Sequence, residues 1–362
     1  MTPCDAAHPR TVIFLGAGAS KADGAPIQSD LFRKFFESCR GQRLGGGQHE
    51  MERELATYFQ HMWGIDVDQQ DLSTIKFPTF EEALGLLELA KSRGESFRGL
   101  GRNATLGKEL RDHLVSLIAV YLERKLRTVE HCHLVLVGQL RSQGRLEQTA
   151  FVSLNYDILI DNALLMQGAT GIDYAITFNT HDISRRSTAI PLLKLHGSLN
   201  WLYCPTCNAL DHYPGGKIAA HLIEAPHRSM CDRCGESRVP IIIPPTFFKV
   251  MSNFYLQQIW KRAEEELKRA DRFVFCGYSF PDADIHIKYL LKRAEVNRMG
   301  EAPEVFILNR PDERPVDTWE NPAEKERYLR FFRRRDIVRW TNLSFQEFAA
   351  NPQLVEDQTR WR

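Results

Sequence analysis

Apolar residues fall along this chain in two alternating patterns. Short unbroken runs of β-branched, aromatic and aliphatic residues occur at Thr11–Leu15, Thr149–Leu154, Ala189–Leu195, Asp271–Cys276 and Glu304–Leu308. Runs of this kind, closed by small or polar residues, predict strands buried on both faces. Other stretches carry apolar residues at three- and four-residue spacing. These are Leu31-Phe32 with Phe35-Phe36, Phe80–Leu87, Leu114–Leu122, Ile158–Leu165, Phe254–Ala270, Asp284–Arg293 and a charged tail from about Glu324 to Arg335. They predict amphipathic helices packed against a core. Thr79 and Glu82 form a capping box at the start of one of them. Strands alternating with helices define an α/β fold, with the strands side by side in a parallel sheet.

Punctuation divides the chain. Residues 1–30 form the first part of the sheet domain, and residues 31–148 a mostly helical insertion. Residues 149–202 continue the sheet domain, residues 203–238 form a small cysteine-bearing module, and residues 239–362 complete the sheet domain and add a helical tail. Within the insertion, Gly45-Gly46-Gly47 is a break and Ser92–Gly107, rich in glycine and arginine, a loop. Lys21–Asp30 is small and polar, with Gly24 and Pro26, and reads as a mobile loop covering the turn before it. The run from Val239 to Thr246 returns the chain to the sheet domain.

With 362 residues, 43% hydrophobic and 26% charged, the chain has ordinary globular composition and length for two or three structural units. A net charge of +1 gives no global signature for a polyanion, and the basic run Arg333-Arg334-Arg335 reads as a solvated face. No nucleic-acid or membrane partner is expected. No window holds the ~18 uninterrupted apolar residues of a membrane span. The N-terminal residues lack the basic and then apolar layout of a signal peptide, so a cytoplasmic protein is expected.

Four of the eight cysteines form two pairs, Cys204-Pro205-Thr206-Cys207 and Cys231-Asp232-Arg233-Cys234. In a reducing compartment such spacing favours a metal over a disulfide. Four thiolates make a closed tetrahedral zinc site with no open position, hence a structural one. His212, His221 and His227, inside the intervening loop, are alternative ligands that four thiolates make unnecessary. His131-Cys132-His133 has no second ligand pair nearby, and satisfied histidines are the better reading.

The strand ends carry the remaining chemistry. Gly16-Ala17-Gly18-Ala19-Ser20 follows the first run, where glycines permit a tight turn and close backbone approach, and where a following helix would present N–H groups to a phosphate. Asn155-Tyr156-Asp157 follows the second, and His196-Gly197-Ser198 the third. In a parallel sheet these three groups share one edge, the carboxyl edge at which open α/β sheets bind ligands. A histidine there can take or give a proton near neutrality.

Taken in order, these motifs, together with Lys194-Leu195-His196-Gly197-Ser198, the cysteine pairs, Gly277-Tyr278-Ser279 and Ile307-Leu308-Asn309, resemble the sirtuin superfamily. Within it, the chain is similar to the sirtuin-like NAD-hydrolase domains of bacterial anti-phage defence proteins. The resemblance covers most of the chain outside the helical insertion. It implies a Rossmann-like parallel sheet with a helical insertion and a small zinc-ribbon module, and NAD+ lying across the strand ends as substrate. On it, Gly16, Ala17, Gly18 and Ser20 hold the pyrophosphate. Gly277 and Ser279 flank the phosphates and adenosine ribose, and Asn309 meets the adenine-side ribose. Asn155 and Asp157 lie near the nicotinamide ribose, with His196 facing its hydroxyls.

Two departures separate the chain from protein-deacylating sirtuins. Gly24-Ala25-Pro26-Ile27-Gln28-Ser29 stands where they carry Gly-Ile-Pro-Asp-Phe-Arg, and Leu154 stands where they place a glutamine. Both fall on the nicotinamide side and point to hydrolysis of NAD+ to nicotinamide and ADP-ribose. The cysteine pairs are typical of deacylases and keep NAD-dependent deacylation as the alternative, beside a non-catalytic NAD or ADP-ribose sensor. The same resemblance implies a homo-oligomer activated by a partner, with a HerA-type ATPase as one precedent.

Overall fold

A computed structural model describes residues 9–26, 28–40, 46–98, 100, 110–117, 132–169, 171–178, 189–214, 230–242, 253–282, 284–311, 314 and 321–361. Two compact units emerge, one made of Met1–Gly24, Thr128–Ser198 and Phe247–Arg362, the other of Ala25–Arg127 and Leu199–Thr246.

The first unit is built on strands β1 (Thr11–Leu15), β2 (Thr149–Ser153), β3 (Ile172–Asp173) and β4 (Ile190–Lys194). Strands β8 (Arg272–Cys276), β9 (Glu304–Leu308) and β10 (Val338–Trp340) complete its sheet. All seven are parallel, in the order β10-β9-β8-β1-β2-β4-β3. Val12 to Leu15, Ala150 to Val152 and Phe273 to Cys276 are buried, as unbroken apolar runs in a covered parallel sheet should be. The chain leaves β1 for β2 on one side and returns through β8 on the other. The carboxyl ends of β1 and β8 therefore flank the reversal of strand order, where doubly wound sheets open a crevice.

Helices α1 (Ala17–Ala22), α5 (Cys132–Ser142), α6 (Leu159–Met166), α7 (Phe254–Arg269), α8 (Ile285–Val296), α9 (Pro322–Phe331) and α10 (Phe345–Ala350) belong to this unit. Their starts are marked in the sequence. Asn253 caps α7, Asn321 with Pro322 opens α9, and Ser344 with Glu347 forms a capping box on α10. The charged tail is helical only to Phe331 and then supplies β10. Two strands of this sheet, β3 and β10, match no apolar run in the sequence; each is too short to show periodicity.

The second unit carries α2 (Gln28–Cys39), α3 (Gly46–Trp63) and α4 (Phe80–Arg93), with residues 110–117 also helical. Rings of Phe32, Phe36, Phe59 and Phe77 interlock between them, and the Thr79/Glu82 capping box is formed. The Lys21–Asp30 stretch is shorter as a loop than expected, because α1 runs to Ala22 and α2 begins at Gln28. The remainder of the Leu114–Leu122 stretch, His131, His221 and His227 lie outside the described residues.

The same unit holds a three-stranded sheet, β6-β5-β7, of β5 (Gly197–Tyr203), β6 (Leu210–His212) and β7 (Val239–Ile242). Strand β7 joins this small sheet rather than the large one to which its apolar run was expected to return. It lies at the edge, where Pro240 costs no ladder bond. Among the described residues, no helix is long and apolar enough to cross a membrane.

The two halves of the large sheet meet through backbone. Phe14 and Phe275 are partners across β1 and β8, their rings stacked at 4.3 Å. Past the last rung, Gly16 N donates to Cys276 O at 2.9 Å and Gly18 N to Gly277 O at 2.8 Å. A Cβ on Gly16 would lie 2.5 Å from Gly277 O, and one on Gly18 2.7 Å from Gly277 Cα. Gly277 itself has φ +62°, and a Cβ there would collide with the Ala19 nitrogen. Gly277→Ala is expected to lower unfolding free energy by about 2–4 kcal/mol, from left-handed backbone strain plus overpacking. Urea denaturation with an unchanged m-value is the measurement; a loss under ~0.5 kcal/mol would contradict the contact.

Candidate functional site

The turns after β1 and β2 are joined by side chains. Asn155 Nδ2 donates to Gly16 O at 2.8 Å and to Ser20 Oγ at 2.8 Å. Ser20 Oγ donates to Asp157 Oδ2 at 2.6 Å, and Asp157 Oδ1 accepts the Leu159 N–H at 3.1 Å. The direction of this relay is chemically fixed. A main-chain carbonyl only accepts, so the nitrogen end of Asn155 must face Gly16. Its amide oxygen is left as the acceptor end of a half-buried side chain. Donation into a serine that itself donates to a carboxylate strengthens that oxygen as an acceptor.

Ser20 is 3% exposed and gives its hydroxyl hydrogen to Asp157. The hydroxyl hydrogen thus serves the relay. The N–H groups of Gly16, Gly18 and Ala19 are likewise engaged, with Cys276 O, Gly277 O and Gly16 O. The glycines are required by the Gly277 backbone pressed against them. Ala17 is half-buried on the same turn.

His196 follows β4 in a two-residue turn that runs directly into β5. It is 2% exposed, its ring 6.2 Å from that of Tyr156, the residue between Asn155 and Asp157. The turn is fastened by Trp260 Nε1, which donates to Leu195 O at 3.0 Å. Under it lies Lys194, fully buried. Its ammonium donates to Asp157 O and to Asp161 Oδ2 at 2.9 Å, and Tyr174 OH donates to Asp161 Oδ1 at 2.7 Å.

The loop after β8 is held from three sides. Asn309, at the end of β9, accepts the Tyr278 N–H at 3.0 Å and donates to Tyr278 O at 2.7 Å and to Glu324. Tyr328 OH also donates to Tyr278 O, and Arg327 donates to Ser279 O at 2.8 Å. Ser279 is exposed and Gly277 half-buried. The Asn309 amide thus holds the Tyr278 backbone from both sides. Burial pushes the Glu324 carboxyl up to about 7, against the opposing effects of the Asn309 bond and the Arg327 charge.

At the far end of α1, the Asp23 carboxylate accepts the N–H groups of Cys132 and His133 and bonds His133 Nδ1. His133 is 1% exposed. Burial opposes ionisation of Asp23, but these donors together hold it below the ordinary carboxylate range. His133 is thus satisfied by a carboxylate, consistent with its reading as a core histidine.

In the second unit, the sulfurs of Cys204, Cys207, Cys231 and Cys234 lie within 4.8 Å of one another. Cys204–Cys234 and Cys207–Cys231 are each 3.5 Å apart, too far for a disulfide and near the ~3.8 Å edge of a tetrahedron with 2.3 Å zinc–sulfur bonds. Burial resists ionisation of Cys204, yet backbone N–H groups of Cys207 and Thr206 bring its thiol down to about 7. The group can hold one tetrahedral metal ion.

The residues missed from sequence are those that act on the named ones. Lys194 is visible as the first residue of the Lys194–Ser198 motif but not as a partner of Asp157, and Asp161 as an acid four residues beyond Asp157 on an apolar helix. Tyr174 and Glu324 carried no local signal.

Comparison with known proteins then defines the class. The model of the SIR2-like domain matches residues 149–332, half of the chain, and the chain belongs to that family. No curated protein matches. Solved structures similar to it include a Sir2 bound to an inhibitor, 2'-O-acetyl-ADP-ribose and a deacetylated p53 peptide (16% identity, 96% of this chain and 94% of that one, TM-score 0.41). A Sir2 with p53 peptide and NAD+ (14%, 96% and 93%, 0.42) and a serine-to-alanine Sir2 homologue with ADP-ribose (15%, 96% and 90%, 0.46) are similar too.

Two outcomes follow from the titrating groups. Glu324, ordinarily 4.5, stays protonated in the folded chain to about pH 7. Below pH 4.5 both states are neutral; between 4.5 and 7 only the unfolded chain ionises. Folding stability should therefore fall by about 3 kcal/mol across that window, a slope absent from Glu324→Gln. Chemical denaturation at stepped pH measures it, and a flat wild-type profile would refute the assignment. Atomic absorption should find one zinc per chain, and Cys231→Ser should lose the metal and lower Tm by several degrees, as for other structural sites.

Proposed function

We propose that this protein is a cytoplasmic NAD+ glycohydrolase that releases nicotinamide and ADP-ribose. The observation that carries the reading is the one-directional relay from Asn155 through Ser20 to Asp157 at the strand-order reversal of a SIR2-like chain. It leaves the Asn155 amide oxygen as an acceptor near a buried carboxylate.

In this reading NAD+ lies over the carboxyl ends of β1 and β8. Gly16, Ala17, Gly18 and Ser20 form the floor under the pyrophosphate, and Gly277, Ser279 and Asn309 shape the adenosine side. The bond between ribose C1' and the nicotinamide nitrogen breaks, and its electron pair leaves with nicotinamide. An oxocarbenium-like centre results. The Asn155 amide oxygen faces that charge and orients the attacking water, whose oxygen bonds C1'. His196 takes the proton the water gives up, directly or through a ribose hydroxyl. Both carboxylate oxygens of Asp157 accept hydrogen bonds, so it acts by polarising and orienting Asn155.

Structural zinc in the four-cysteine module, a homo-oligomeric state, activation by a defence partner such as a HerA-type ATPase and depletion of NAD+ during phage infection complete the proposal. These elements rest on the family resemblance. The cysteine module favours the second reading, NAD-dependent deacylation.

Incubation with NAD+ alone should release nicotinamide and ADP-ribose. Asn155→Ala and His196→Ala should each lower kcat by about 10²–10³-fold while ADP-ribose still binds. Turnover that strictly requires an acylated peptide would replace hydrolysis with deacylation. Binding without any turnover would leave a sensor.

A further inference from the structure

The last main-chain rung between β2 and β4 is Leu195 N to Ser153 O, at 3.2 Å. Beyond it the two chains diverge into the turns bearing Asn155 and Asp157 on one side and His196 on the other. One side chain ties them again. Lys194, the last residue of β4, is 0% exposed and donates to the main-chain oxygen of Asp157. We infer that Lys194 is a positioning residue, a buried strut that sets the spacing between the Asn155–Asp157 turn and the His196 turn, with Asp161 and Tyr174 as its footing.

The chemistry of the three residues explains why a cation is used. Asp157 is buried, so its main-chain carbonyl calls for a donor, and Lys194 on the neighbouring strand supplies one. A lysine stem spans that gap, but its charge must be neutralised once buried. Asp161 does so at 2.9 Å, and Tyr174 OH, at 2.7 Å, takes up the second carboxylate oxygen. Neutralisation has a second effect. An unpaired ammonium one residue from the relay would oppose positive charge developing above Asn155, whereas the Lys194–Asp161 pair leaves the Asp157 carboxylate as the unbalanced charge. Asp157 lies just before α6 and Asp161 in its first turn, so the group spans the start of that helix.

The inference rests on the proposed NAD+ hydrolysis for its kinetic readout, and its structural readout stands without it. Single removal of Lys194 or Asp161 would leave a buried charge, so the informative variant replaces the whole group: Lys194→Met, Asp161→Leu and Tyr174→Phe together. An all-apolar replacement of a buried pair keeps stability, so Tm should stay within about 4 °C of wild type. If the strut positions the turns, kcat for NAD+ should nonetheless fall roughly thirty- to hundredfold, with KM changed by less than about threefold. Amide exchange across residues 154–159 should quicken about tenfold.

A folded triple variant with wild-type kcat and exchange would reduce the group to packing and overturn the inference. If the wild type itself does not cleave NAD+, the functional reading fails, and exchange in residues 154–159 alone decides the strut. Should the triple variant not fold, Tyr174→Phe decides. It keeps both charges, and is expected to lower kcat about three- to tenfold and speed exchange at the same residues; no change in either would count against the strut.

Discussion

The structure depends on backbone meeting backbone at the reversal of strand order. Gly16 and Gly18 lie against Gly277 with no room for a Cβ on any of the three. That contact lets the β1 turn and the β8 loop bond each other directly, continuing the sheet past its last strand residue. With the two halves so fixed, the carbonyl of Gly16 stands where Asn155 can reach it, and the relay to Asp157 follows. A single side chain at Gly16 or Gly277 would move both the floor of the crevice and the acceptor that orients Asn155.

Around this point the apolar sheet end turns polar in an ordered way. Ser20, Asp157, Asp161, Lys194 and His196 are all buried. Such groups are costly unless each finds its partners. Here serine is matched with the Asp157 carboxylate, ammonium with the Asp161 carboxylate and a carbonyl, and tyrosine with the remaining oxygen of Asp161. Polar groups gathered this densely set these strand ends apart from the strands themselves, where packing uses leucine and valine.

Much of this was legible in the sequence. β1, β2, β4, β8 and β9 announced themselves as unbroken apolar runs, and the residues just past them carried the chemistry. The sheet order was not legible, since it depends on which side of β1 each return lands. Nor were β3 and β10, whose two and three residues have no period of their own. At the site, Asn155, Asp157 and His196 could be picked from their place at strand ends, but their partners could not. Ser20 lies 137 residues from Asp157, and Tyr174 reaches its acid from a loop with no motif. The glycines illustrate the limit: sequence told that something approaches closely, and only the fold told that it is another glycine. The cysteines were legible because spacing within each pair is the constraint itself.

The grip of Asn309 on Tyr278 has an energetic corollary. Its side-chain amide takes both the N–H and the carbonyl of Tyr278, as a further strand residue would. With Tyr328 and Arg327 adding to it, the segment that would cradle a nucleotide is frozen in advance. A ligand settling there loses its own freedom but demands little from the protein in conformational entropy. In the proposed reading, binding on that side would not wait on a rearrangement of this segment, leaving motion as a means of control to other parts of the chain.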